Sequence, residues 1–112
     1  MLERLHPTLA GWVRGRFGKL TEAQALTLPR LMRGQSVLLS SPTGSGKTLA
    51  GFLGVLDHLV RAHEAGELPR ARTVAVYVSP LRALTYDIEK NLRVPLEEMG
   101  LAEVIRIGLR TG

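Results

Sequence analysis

The sequence predicts an α/β fold in which a parallel sheet lies between two layers of helices, a three-layer arrangement. Three observations predict it. Short aliphatic and β-branched runs alternate with segments of helical period over most of the chain. The joining helices are long enough for crossovers, which are right-handed and set successive strands parallel. The first strand run is apolar without alternation, the pattern of a strand covered on both faces.

The elements follow in order. Pro7 opens a first helix to about Arg14, with Gly15 and Gly18 loosening what comes next. Thr21-Glu22-Ala23-Gln24 has the spacing of a capping box, so a second helix starts at Glu22. It buries Ala25, Leu28, Leu31 and Met32 and stops near Gly34, and Pro29 kinks or shortens it. Residues 36–40 form the first strand. From residue 48 to about 65, Leu49, Phe52, Leu53, Leu56, Leu59 and Val60 recur at the helical period, and Gly66 ends the helix. After a loop containing Pro69, residues 73–78 form a second strand. Ser79-Pro80 turns the chain into a helix from Leu81 to about Leu92. Pro95 restarts a last turn that Gly100 ends, and residues 104–108 are a third strand.

Composition bounds the function. With 45% hydrophobic and 22% charged residues among 112, a buried core is within reach and wholesale disorder is excluded. The absence of cysteine excludes disulfides, a thiolate zinc site and a cysteine nucleophile. Five aromatics argue against a binding face built on stacked rings. There is no apolar run of membrane-spanning length, and the first residues lack a secretory signal, so the expectation is a reduced, cytoplasmic protein. The net charge is +5, and twelve of the fifteen cations are Arg. That balance suits a polyanion such as nucleic acid, and equally a solvated basic surface.

The chemistry lies between the first strand and its helix, in Ser41-Pro42-Thr43-Gly44-Ser45-Gly46-Lys47-Thr48. This is the phosphate-binding loop, in the variant where a small residue, here Ser41, replaces the first glycine. Gly44 and Gly46 permit positive φ, so successive N–H groups turn toward one anion. The helix from Lys47 adds its positive end and its unpaired donors. Lys47 then reaches the β- and γ-phosphates of ATP. The Thr48 hydroxyl takes one position on Mg²⁺, which bridges to phosphate oxygens and keeps most of its waters. Thr43, Gly44, Ser45, Gly46, Lys47 and Thr48 are the expected phosphate-binding residues, with Lys47 and Thr48 the catalytic pair. A glycine-rich turn before a surface lysine is the plainer alternative, but the strand–loop–helix context is the one the mechanism demands.

Hydrolysis needs a second group, an acid ending a neighbouring strand. None fits. Asp57 and Asp87 fall in helical runs, as solvated positions, and Glu103 precedes a strand. His6, His58 and His63 have no metal-ligand spacing and read as ordinary helix-face residues.

Phe17, Thr21 and Gln24, then the loop from Ser41 to Thr48, then Ser79-Pro80-Leu81-Arg82-Ala83-Leu84 resemble in order the start of superfamily 2 helicases of the DEAD/DEAH type. Tyr77 to Leu84 and the closing Arg110-Thr111-Gly112 are most similar to the large helicase-related (Lhr-like) branch. The resemblance implies a RecA-like domain present in part, the front half of the first of two motor domains. Residues 1–35 would be its adenine-side helical segment and residues 36–112 its P-loop βαβ core. It implies that Gln24 reads adenine through its amide with Phe17 packing on the base, although capping alone also explains Thr21 and Gln24. It implies that Pro80, Leu81, Arg82, Arg110, Thr111 and Gly112 contact the backbone of single-stranded DNA or RNA. It implies, finally, that the acidic magnesium-holding motif and the rest of the motor are needed for turnover.

Three functions remain open on sequence alone. The first is the ATP-binding portion of an ATP-dependent helicase or translocase, inactive when isolated. The second is a P-loop kinase, although nothing after Thr48 suggests an acceptor site. The third is a non-catalytic nucleotide- or nucleic-acid-binding module.

Overall fold

The computed structural model describes residues 2–40, 46–78, 86 and 88–110. After a 3-10 turn at Leu2–Arg4, helix α1 spans Pro7–Phe17. Pro7 sits in its first turn, where a missing N–H costs nothing, and the His6 ring accepts the Thr8 N–H as a cap. The helix runs past Arg14 and Gly15 and ends at Gly18, whose φ of +81° suits glycine. It buries Leu9, Ala10 and Val13.

Helix α2, Glu22–Met32, starts where the capping box places it, with both reciprocal hydrogen bonds formed. It continues through Pro29 for three more residues rather than stopping there. Leu28 is fully buried, while Ala25, Leu31 and Met32 are only partly covered.

Helix α3, Lys47–Glu64, is the axis of the molecule. Leu49, Phe52, Leu53, Leu56, Leu59 and Val60, the set the period selects, are all buried on it, together with Ala50 and Asp57. Its main neighbour is α2, and the two approach closely at Gly54. A Cβ on Gly54 would lie 2.9 Å from Leu31 Cδ1. Small size is what that crossing requires.

Near the C-terminus a π-helical turn, Glu89–Arg93, runs into a short helix α4, Val94–Glu98. Pro95 has no N–H to give to Asn91, and the turn before it widens: the Val94 N–H reaches back to the Glu89 carbonyl. Leu96 and Ile105 join Leu5, Leu9, Val13, Leu28, Leu53 and Leu56 in one core.

The sheet departs from expectation. Among the described residues there is no strand, and residues 36–40, 73–78 and 106–108 have no regular structure. Val104 and Ile105 sit in a turn instead, both donating to the Leu101 carbonyl at 3.0 Å. A strand exists only as one side of a ladder, and no backbone hydrogen bond joins these runs to one another among the described residues. Several of their apolar side chains lie uncovered, Leu38 being 95% exposed, Val76 79% and Val78 86%, while Val37, Leu39 and Ile107 are partly covered. In the second run, Tyr77 meets Phe52 of α3 edge to face at 4.8 Å.

Two polar residues also differ from expectation. Asp57, read as a solvated helix position, is 4% exposed, and His6, read as an ordinary face residue, is buried. Asp57 Oδ1 accepts the His6 backbone N–H at 2.7 Å and Oδ2 accepts Arg61 Nε at 2.9 Å. Arg61 also donates to the Arg4 carbonyl. The His6 ring accepts at Nδ1, so its proton is on Nε2, which donates to Glu64 Oε1 at 2.6 Å. This cluster seats the start of the chain on the second half of α3. No helix among the described residues is long and apolar enough to cross a membrane.

Candidate nucleotide-binding site

The N-terminal end of α3 is the foundation of the site. Gly46 is its N-cap in the left-handed conformation, φ +80° and ψ +26°. With no side chain at the cap and no acidic residue in the first turn, the 18-residue helix supplies no countercharge of its own to its positive end. Lys47 is exposed and Thr48 half-buried in that turn.

Gln24 connects this end to α2. Only 4% exposed, it accepts the Thr21 N–H at Oε1, 2.9 Å, completing the capping box. Its Nε2 donates to the Gly46 carbonyl at 3.3 Å. The approach is so close that a Cβ on Gly46 would lie 2.5 Å from Nε2 and 3.5 Å from Thr21 Oγ1. Gly46 is therefore glycine for two reasons, its φ and its neighbour. Capping uses one lone pair of Oε1 and the loop contact one hydrogen of Nε2. Among the described residues these are the amide's two partners, of the four it can take.

Phe17, at the end of α1, is half exposed. Its ring meets Trp12 edge to face, with centroids 5.6 Å apart at 84°. Trp12 Nε1 and Arg16 Nη1 both donate to Glu98 of α4, at 3.0 and 2.7 Å. Arg110 is exposed. The structure thus brings Gln24 onto Gly46 beside Lys47 and Thr48. Thr43, Gly44, Ser45, Pro80, Leu81, Arg82, Thr111 and Gly112 lie outside the described residues.

The donor set suits a triphosphate with a magnesium ion. It offers an ammonium, a hydroxyl and an uncapped helix end, beside a glycine whose place a Cβ would fill. Among the described residues no group of three His, Asp or Glu could enclose a metal, so a cation here would draw its other ligands from phosphate and water. Sequence reasoning missed Glu98, His6 and Asp57 as organisers. Besides the local Asp57–Arg61 and His6–Thr8 pairs, their partners lie 51 to 86 residues away, beyond any local pattern.

A family model described as DEAD/DEAH box helicase matches residues 21–111, from the capping threonine through the loop and beyond. The chain is 42% identical over 111 residues to the ATP-dependent helicase Lhr-Core of Saccharolobus solfataricus, covering 96% of this chain and 13% of that protein. It is 44% identical to the ATP-dependent helicase Lhr-Core of Methanothermobacter thermautotrophicus, with the same coverage. Against the Lhr helicase/uracil glycosylase of Escherichia coli it is 37% identical, over 95% of this chain and 8% of that protein. The chain thus spans about one eighth of the length of the Lhr-Core relatives. No solved structure matches it. The match implies a RecA-like P-loop fold, and it takes in both the Gln24 cap and the Lys47–Thr48 helix start that the geometry joins: the chain belongs to the DEAD/DEAH box helicase family.

Proposed function

We propose that this chain is the ATP-binding portion of an ATP-dependent nucleic-acid helicase or translocase acting on DNA in the cytoplasm. The observation that carries the proposal is the Gln24 amide seated on the Gly46 carbonyl at the uncapped start of α3. In this reading, the amide that reads the base touches the helix end that binds the phosphates.

Thr43, Gly44, Ser45 and Gly46 surround the phosphates with backbone N–H groups, and Lys47 neutralises the β- and γ-phosphates. Thr48 holds Mg²⁺ through its hydroxyl. When bound, ATP with Mg²⁺ supplies the phosphoanhydride whose cleavage drives the motor. The remaining donor and acceptor of Gln24 pair with the adenine edge, and Phe17 packs on the base. Capping and base reading thus use different positions of one amide. Pro80, Leu81, Arg82, Arg110, Thr111 and Gly112 bind the backbone of a single strand.

In this proposal residues 1–35 are the adenine-side segment and residues 36–112 the P-loop core, together the front half of a first RecA-like domain with a three-layer parallel sheet. The largely uncovered apolar runs at 36–40 and 73–78 support that, since they have the composition of sheet strands. The acidic group that completes hydrolysis comes from the remainder of the motor, so the isolated chain binds ATP without turning it over.

The test is Lys47→Ala in the full-length protein. Removing the ammonium is expected to lower nucleic-acid-stimulated ATP hydrolysis by about a hundredfold or more, the scale for loss of a transition-state charge partner. Turnover at a near-normal rate would show that the phosphates bind elsewhere.

A further inference from the structure

We propose that Glu98 is a positioning residue for the adenine side of the site, acting on Phe17 through Trp12 and Arg16. The proposal rests on the adenine role given to Phe17 above. Both carboxylate oxygens of Glu98 are engaged. Oε2 accepts the Trp12 indole N–H at 3.0 Å, and Oε1 accepts Arg16 Nη1 at 2.7 Å in an ion pair. The Arg16 guanidinium in turn lies 6.0 Å from the centroid of the Trp12 ring. The indole is therefore fixed twice, at its N–H and at its face, by groups that converge on one carboxylate.

Trp12 passes that restraint to Phe17. The two rings meet at 84°, the edge-to-face geometry that aromatic quadrupoles favour, so the plane of the indole sets the plane of the phenyl ring. Phe17 needs such a restraint. It is the last residue of α1, half exposed, and the backbone turns away immediately at Gly18. An unbraced ring there would sample several rotamers, and stacking a base on it would carry the entropic cost of choosing one. The brace also spans the chain, since Glu98 lies on α4 and the rings lie on α1. The end of the chain thus shapes the surface offered to a base near its beginning.

The test compares a ligand with a base and one without, in the full-length protein: the KM for ATP, and inhibition of that activity by inorganic tripolyphosphate. Glu98→Ala is expected to raise the KM for ATP about threefold to tenfold, with kcat held within about twofold, because ground-state binding of the base is what is lost. Inhibition by tripolyphosphate is expected not to move. Phe17→Ala gives the same signature, and adding Glu98→Ala to it has no further effect, since one acts through the other. Glu98→Gln keeps an acceptor for the indole but loses the ion pair, and falls between.

Unchanged KM in Glu98→Ala, where Phe17→Ala raises it, overturns the role of Glu98 and leaves the adenine reading standing. Unchanged KM in Phe17→Ala overturns that reading and this inference with it. Weaker tripolyphosphate inhibition in Glu98→Ala reveals general loosening and overturns the positioning role. If Glu98→Ala does not fold, Trp12→Phe, which keeps a ring but removes the N–H, carries the same expectations.

Discussion

The two ends of α3 are built on opposite principles. In its second half Asp57, Arg61 and Glu64 hold His6, Arg4 and one another, so that the start of the chain is tied down by hydrogen bonds that range from buried to exposed. Its first turn has a bare glycine cap, no acid and a dipole end facing outward. Such an end contributes stability by anchoring the chain start. A glycine-capped end forgoes only about a few tenths of a kcal/mol relative to a hydroxyl or carboxylate cap, and its backbone can approach a ligand closely. In the proposed reading, one helix divides anchorage from recognition along its length.

The change that breaks this contrast most strongly is Gly46→Ala. Alanine at φ +80° is strained by about 1–2 kcal/mol, and its Cβ would drive into the Gln24 amide. Both the loop conformation and the Gln24 contact are lost together. ATP hydrolysis by the full-length protein is expected to fall about a hundredfold or more, in the folded fraction, beyond whatever stability that strain removes. Retained activity would mean that this junction does not shape the site.

The opposite signature belongs to Asp57→Ala. It leaves the His6 N–H buried without an acceptor and releases Arg61, a loss of about 1–3 kcal/mol. Denaturant titration is expected to show the lower stability, with the KM for ATP unchanged where the protein remains folded. A raised KM with intact stability would reverse the roles assigned to the two ends.

How much of this was legible in the sequence follows from the range of the interactions. Capping, the helical period of α3 and the glycine at its start depend on residues within a few positions of each other, and all are found where Thr21, Leu53 and Gly46 predict them. The seating of Gln24 on Gly46 joins two helices across a loop, and residue identity alone left it undecided between cap and base reader. Asp57 and Glu98 depend on partners more than fifty residues away. An acid in a helical run looks the same whether water or a distant N–H meets it. The expected strands depend on something further still. Val76 and Leu38 have the composition of sheet residues, yet composition cannot provide the ladder partner that turns an apolar run into a strand.

Gly54 lies between the two ends and sharpens the contrast with the smallest expected effect. Gly54→Ala gains about 1 kcal/mol of helix propensity in α3. Its Cβ meets Leu31 Cδ1 at 2.9 Å and Leu31 Cβ at 3.2 Å, and overpacking of this kind costs about 1–3 kcal/mol. The net expectation is a loss of up to about 2 kcal/mol, reduced toward zero as far as the flexible end of Leu31 can turn aside. Because α2 carries Gln24 at its start and Leu31 near its end, the strain also pushes on the helix that holds the amide over Gly46. If α2 moves as a rigid body, the KM for ATP rises along with the drop in stability. If Leu31 yields locally, stability alone changes, and the recognition end of α3 is insulated from packing only two turns away.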